Sequence, residues 1–203
     1  MAYVFRFMQN FNFVLFSAIN AGTSPRPDIA RFAVFSADWL VYAVPALLLT
    51  IWLLGERPAR RQAIEAGLGA CVALALAQVF SHLWMSPRPF MVGAGAQLIP
   101  HAPDGSFPSD HMTFAWSIAA GLLLGATTRP AGLLVAGLAA LIAWGRIYVG
   151  VHWPFDMVGG VLVGTAGAFV VHLYARPVTG GLDGIGEAVH ARVAPRRSRV
   201  PRR

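Results

Sequence analysis

Five apolar runs, at 32–54, 62–84, 111–126, 130–149 and 155–175, dominate this chain and contain almost no charged side chains. A helix needs about 20 such residues to cross a bilayer. In hydrocarbon the backbone must satisfy its own hydrogen bonds, so runs of this kind are restricted to helices. The third run is short and extends into its flanks. Only 12% of the residues are charged, against about 25% in soluble domains. The expected fold is therefore all-α: a polytopic membrane helix bundle of about five transmembrane helices.

Ahead of the runs, residues 3–20 mix Phe5, Met8, Phe11, Phe13, Leu15, Phe16 and Ile19 with Arg6, Gln9, Asn10 and Asn12. That mixture is too polar for a span and reads as an N-terminal helix lying in the membrane interface. The N-terminus has no cleavable signal-peptide pattern, so the spans themselves are expected to direct insertion. After Arg176 the hydrophobicity ends, and Gly180, Gly181, Gly184 and Gly186 precede Pro- and Arg-rich sequence. Three regions follow: an interfacial helix and loop at 1–31, a transmembrane core at 32–176, and a basic, loose tail at 177–203.

Arginine bias orients the bundle. Arg57, Arg60 and Arg61 follow the first run, Arg129 follows the third, and Arg176 opens the tail. These connections belong on one face, the cytoplasmic one. Residues 85–110 and the turn at 150–154 then face outward. The polar residues are therefore expected on the outward side, facing the periplasm or the space beyond the membrane. The basic tail suits anionic headgroups beside such spans, and nucleic acid is not an expected partner. All 16 basic residues are arginine, so any cationic phosphate site must use guanidinium groups. The single cysteine, Cys71, rules out an intrachain disulfide framework and a Cys-based zinc site.

Three outward segments carry polar chemistry. In Ser86-Pro87-Arg88-Pro89-Phe90 two prolines stiffen the exit that presents Arg88. Its planar fork suits phosphate oxygens, and it equally suits a snorkelling arginine at a helix end. In Ser106-Phe107-Pro108-Ser109-Asp110-His111, Ser109 or Asp110 can cap a helix whose free N–H groups favour anions. His111 stands in its first turn. In the third segment, Arg146 and Asp156 are ionisable groups in apolar surroundings, and His152 lies four residues before Asp156. Helical geometry would put those two on one face, where a carboxylate on one ring nitrogen leaves the other nucleophilic. A structural Arg146–Asp156 pair beside a bystander histidine is the competing reading. Asp38 falls in the first run at the level of these segments, and either pairs with His82 or Arg88 or stays partly hydrated.

Taken in order, Arg-Pro, Pro-Ser-x-His and Arg-x5-His-x3-Asp resemble the three motifs of the type 2 phosphatidic acid phosphatase (PAP2) superfamily. The resemblance covers 81–156. Arg-Pro-Phe, Ser-Phe-Pro-Ser-Asp-His and Arg-Ile-Tyr-Val-Gly-Val-His-Trp-Pro-Phe-Asp look most like the bacterial undecaprenyl-diphosphatase branch, known for bacitracin resistance. Three positions depart from the general pattern: Ser81 replaces a lysine, with His82 beside it, Asp110 replaces a glycine, and Gly145 replaces a serine.

The resemblance implies a phosphatase needing no metal or cofactor, with His152 as nucleophile, Asp156 orienting it and His111 as general acid and base. Arg88, Ser109, Asp110 and Arg146 would bind the phosphate of a polyprenyl diphosphate or another phospholipid. Phosphatidic acid and phosphatidylglycerophosphate are alternative substrates of the same class. A permease or export partner is the alternative of another class, against which stands the clustering of polar residues at one surface rather than midplane.

Overall fold

The structure, a computed structural model, describes residues 2–174 and 176–193. Among the described residues eight α-helices follow in order: α1 Ala2–Ile19, α2 Pro27–Asp38, α3 Ala43–Leu54, α4 Arg57–Leu83, α5 Asp110–Leu124, α6 Arg129–Tyr148, α7 Pro154–Tyr174 and α8 Arg176–Val193. No strand occurs among the described residues. Helices α4, α6 and α7 are each long and apolar enough to cross a membrane, and α2 with α3 gives a fourth if that bent pair is one span.

Helix α5 sits at the centre, packed against α4, α6 and α7. Its 15 residues bury Met112, Thr113, Ala115, Ser117, Ile118, Ala119, Gly121 and Leu122. The shortness of its apolar run thus fits a position inside the bundle. Small residues let neighbouring backbones approach, as membrane packing favours: Ala63, Ala66, Gly69, Ala70, Ala73 and Ala77 are the buried face of α4.

Two expectations need correcting. The run at 32–54 is not one straight helix: α2 ends at Asp38, a 3-10 turn covers Leu40–Tyr42, and the two halves are inclined by 42°. Pro45 lies in the first turn of α3, where its missing N–H costs nothing. Nor is the sequence after Arg176 irregular as far as Val193, because α8 occupies it. Glu187 of α8 takes both an Nε and an NH2 contact from Arg60, and His190 lies 2.9 Å from the Leu53 carbonyl. Arg196, Arg197, Arg199, Arg202 and Arg203 lie outside the described residues.

Helix α1 is docked at the polar end of the bundle. Phe16 is buried with its ring 4.9 Å from that of Trp153. Asn20 donates to the carbonyls of Ala96 and Tyr148 and accepts from the Ala96 N–H. One side chain therefore ties the end of α1, the loop before α5 and the end of α6 together. Asn12 accepts from the Phe155 N–H at 3.0 Å, which satisfies a free donor at the start of α7.

Candidate functional site

Helix α4 ends at Leu83, and the Pro-flanked exit carries Arg88 in extended backbone before a 3-10 turn at Pro89–Val92. This holds the guanidinium inward instead of letting it snorkel: Arg88 is only 5% exposed. Its Nε donates to Asp104 at 2.7 Å, NH2 to the Gly105 carbonyl at 3.1 Å and NH1 to the Val151 carbonyl at 2.9 Å. NH1 also lies 3.1 Å from His152 Nε2.

The chain leaves α6 through Val149 and Gly150, whose φ of +85° is the left-handed region that favours glycine. A Cβ there would stand 2.0 Å from the Ala96 carbonyl oxygen. This turn swings His152 into the bundle ahead of α7. The sequence reading placed His152 and Asp156 on one helical face. In the structure they do pair, but His152 precedes the helix and Asp156 sits in its first turn. Asp156 Oδ2 lies 3.2 Å from His152 Nδ1, accepts the Trp153 N–H at 2.8 Å and takes a short hydrogen bond from the Ser106 hydroxyl. Both His152 and Asp156 are almost fully buried. Burial first, then the nearby charges of Arg146 and Arg88, holds the His152 imidazole well below its usual pKa. It is therefore neutral, with Nδ1–H directed to Asp156 and its lone pair on Nε2.

Ser109 caps α5, accepting from the Met112 N–H, and its own N–H donates to the Asp156 carbonyl at 3.2 Å. The start of α5 is thereby tied directly to the start of α7. His111 follows in the first turn of α5, and its side chain makes no hydrogen bond among the described residues. Asp110 is turned to α4, where Gln78 donates to it at 3.0 Å.

Arg146 closes the site from the end of α6. It is 3% exposed, its NH1 lies 3.4 Å from Asp38 Oδ1, and its Nε has no hydrogen-bond partner among the described residues. A buried guanidinium N–H without an acceptor is uncommon and costly, and it suits an anion. Asp38 thus pairs with neither of the partners expected of it. His82 instead meets the Gln78 carbonyl of its own helix at 2.7 Å and stays outside the cluster. Gly145 also acquires a reason: a Cβ there would stand 2.9 Å from both the Ala33 carbonyl oxygen and the Ala37 nitrogen. Helix α6 lies against α2 too closely for serine.

The structure therefore gathers His152, Asp156, Arg88, Ser109, His111 and Arg146, while Asp110 faces α4. Sequence reasoning assigned no role to Ser106, Asp104 or His101. Ser106 lies in the same segment as Ser109, and only the packing of that segment on the start of α7 brings it to Asp156. Asp104 and His101 lie in an irregular loop where spacing carries no geometric information.

The family model described as the PAP2 superfamily matches residues 62–179. YbjG of Escherichia coli, whose name carries a provisional undecaprenyl-diphosphatase assignment, is 39% identical over 79% of this chain and 80% of its own length. The undecaprenyl-diphosphatase BcrC of Bacillus subtilis is 34% identical over 75% of this chain and 78% of its own. Among solved structures, Aquifex aeolicus LpxE superposes with a TM-score of 0.63 at 24% identity, covering 79% of this chain and 93% of LpxE. That last likeness concerns the fold.

Proposed function

This chain belongs to the PAP2 superfamily, and from that premise we propose that it hydrolyses undecaprenyl diphosphate to undecaprenyl phosphate and phosphate, recycling a cell-wall lipid carrier. The observation that carries the reading is a neutral His152 fixed through Nδ1 by Asp156, with its Nε2 beside Arg88. Relatives named for this activity match most of the chain.

The reaction has two steps. His152 Nε2 attacks the terminal phosphorus, forming a P–N bond as the bond to the bridging oxygen breaks, and the lipid monophosphate departs. Asp156 holds the imidazole in position and stabilises the charge it gains. His111 protonates the departing oxygen where that is needed. It then takes a proton from water, whose oxygen displaces His152 and releases phosphate. Arg146, Arg88 and the Ser109 hydroxyl hold the non-bridging oxygens, since phosphoryl transfer is mostly positioning and charge stabilisation. Asp110, held by Gln78, orders the start of α5 on this reading. No step requires a metal.

The site lies at the ends of α4 and α6 opposite Arg57, Arg60, Arg61 and Arg129. The arginine bias puts those residues and α8 on the cytoplasmic face, and the site on the extracytoplasmic face of the cytoplasmic membrane.

Phosphate release by the purified protein in detergent from undecaprenyl diphosphate, phosphatidic acid and phosphatidylglycerophosphate tests the substrate. The expected order puts undecaprenyl diphosphate first, with activity unaffected by EDTA. A preference for either phospholipid would replace this substrate by the corresponding monoester. Loss of activity on chelation would overturn the metal-free route.

A further inference from the structure

One basic side chain at the site belongs to none of the three motif segments. His101, in the loop before α5, stands edge-on to His152 with ring centroids 6.2 Å apart, and its ring also lies 6.5 Å from that of Phe90. Its Nδ1 is 3.0 Å from the Ala102 carbonyl, so Nδ1 carries the hydrogen and Nε2 remains available. The nearest carboxylate, Asp104, lies 3.8 Å from Nδ1 but is engaged by Arg88 at 2.7 Å.

Charge balance makes this histidine matter. Arg88 is largely offset by Asp104, and Arg146 faces Asp38. A single phosphate monoester carries about −1.5 to −2 at neutral pH, and a diphosphate carries more. The attacked phosphorus must stand about 3–3.5 Å from Nε2, within the reach of Arg146, Arg88 and Ser109. The second phosphate lies one bridging oxygen further out, and His101, whose ring centroid is 6.2 Å from that of His152, stands at a comparable remove.

We propose that His101 contacts the lipid-side phosphate of a diphosphate substrate, the group that departs with the lipid. This rests on the phosphatase reading and adds a specificity determinant to it. A phosphate anion at Nε2 favours the imidazolium, which donates a charge-assisted hydrogen bond while Nδ1–H stays on Ala102. A monophosphate has nothing to place there.

The test measures binding of methylenediphosphonate and of inorganic phosphate to the full-length protein in detergent, for the parent, His101→Gln and His101→Lys. Turnover of undecaprenyl diphosphate is followed in parallel. His101→Gln should weaken diphosphonate binding about tenfold, the size of one charge-assisted hydrogen bond, and leave phosphate binding within about twofold. His101→Lys should restore most of the loss. Equal weakening of both anions would make His101 a loop scaffold and overturn the proposal. So would unchanged diphosphonate affinity, or a folded lysine variant that restores nothing. If the parent binds diphosphonate through His101 yet leaves undecaprenyl diphosphate intact, the substrate reading falls and His101 keeps its role.

Discussion

Asp38 Oδ1 lies 3.4 Å from Arg146 NH1, joining the last residue of α2 to a buried guanidinium near the end of α6. Asp38 is 40% exposed and Arg146 is 3% exposed, so the carboxylate reaches the arginine from a wetter position. The bend after Asp38 is what leaves it there. On the proposed mechanism Asp38 would act through Arg146 as a positioning residue. Asp38→Asn should raise KM for the diphosphate lipid and lower kcat/KM about tenfold, as for a weakened charged hydrogen bond. Asp38→Glu should recover part of the loss. A folded asparagine variant with unchanged kinetic constants would confine the pair to a structural role.

His152→Ala should abolish turnover, and Asp156→Asn should lower kcat about 10³–10⁴-fold by analogy with triad carboxylates. Trapping with labelled substrate checks the nucleophile: the parent should yield an acid-labile phosphoprotein and His152→Ala none.

The departing group offers a second contrast. A diphosphate releases a phosphate monoester, whose second pKa is about 6, whereas a monophosphate lipid releases an alkoxide. His111→Ala should therefore keep more activity than His152→Ala on undecaprenyl diphosphate. Equal losses, measured as kcat, would count against a diphosphate as substrate.

Stability should follow the neutral state of His152. In the unfolded chain this imidazole takes up a proton below about pH 6.5, which the folded protein resists because burial and Arg146 hold its pKa well down. The unfolded state then binds more protons, so stability rises with pH through that region and falls on acidification. Thermal unfolding followed between pH 7 and pH 5 should show Tm dropping in the parent. The slope should be shallower in His152→Gln.

Gly145→Ser restores the family's usual residue but puts a side chain against the α2 backbone. Overpacking of this kind costs about 1–3 kcal/mol. The variant should melt several degrees lower and lose activity as Arg146 shifts. A serine variant as stable as the parent would show that α2 yields easily.

Helicity, membrane embedding and the pairing of His152 with Asp156 were legible in the chain, because each is written in local pattern. A run of about 20 apolar residues has one stable form in hydrocarbon, and His152 with Asp156 sit close enough in sequence to meet in any compact turn. What the pattern could not reveal depended on contacts between distant segments. Asp38 finds Arg146 across 108 positions, Asp104 reaches Arg88 from a loop, and Ser106 reaches Asp156 across 50. The bend after Asp38 and the closeness of α6 to α2 at Gly145 likewise exist only once the helices pack. Hydropathy determines which segments enter the membrane. Side-chain volumes and buried hydrogen bonds at the helix ends decide which charges meet there.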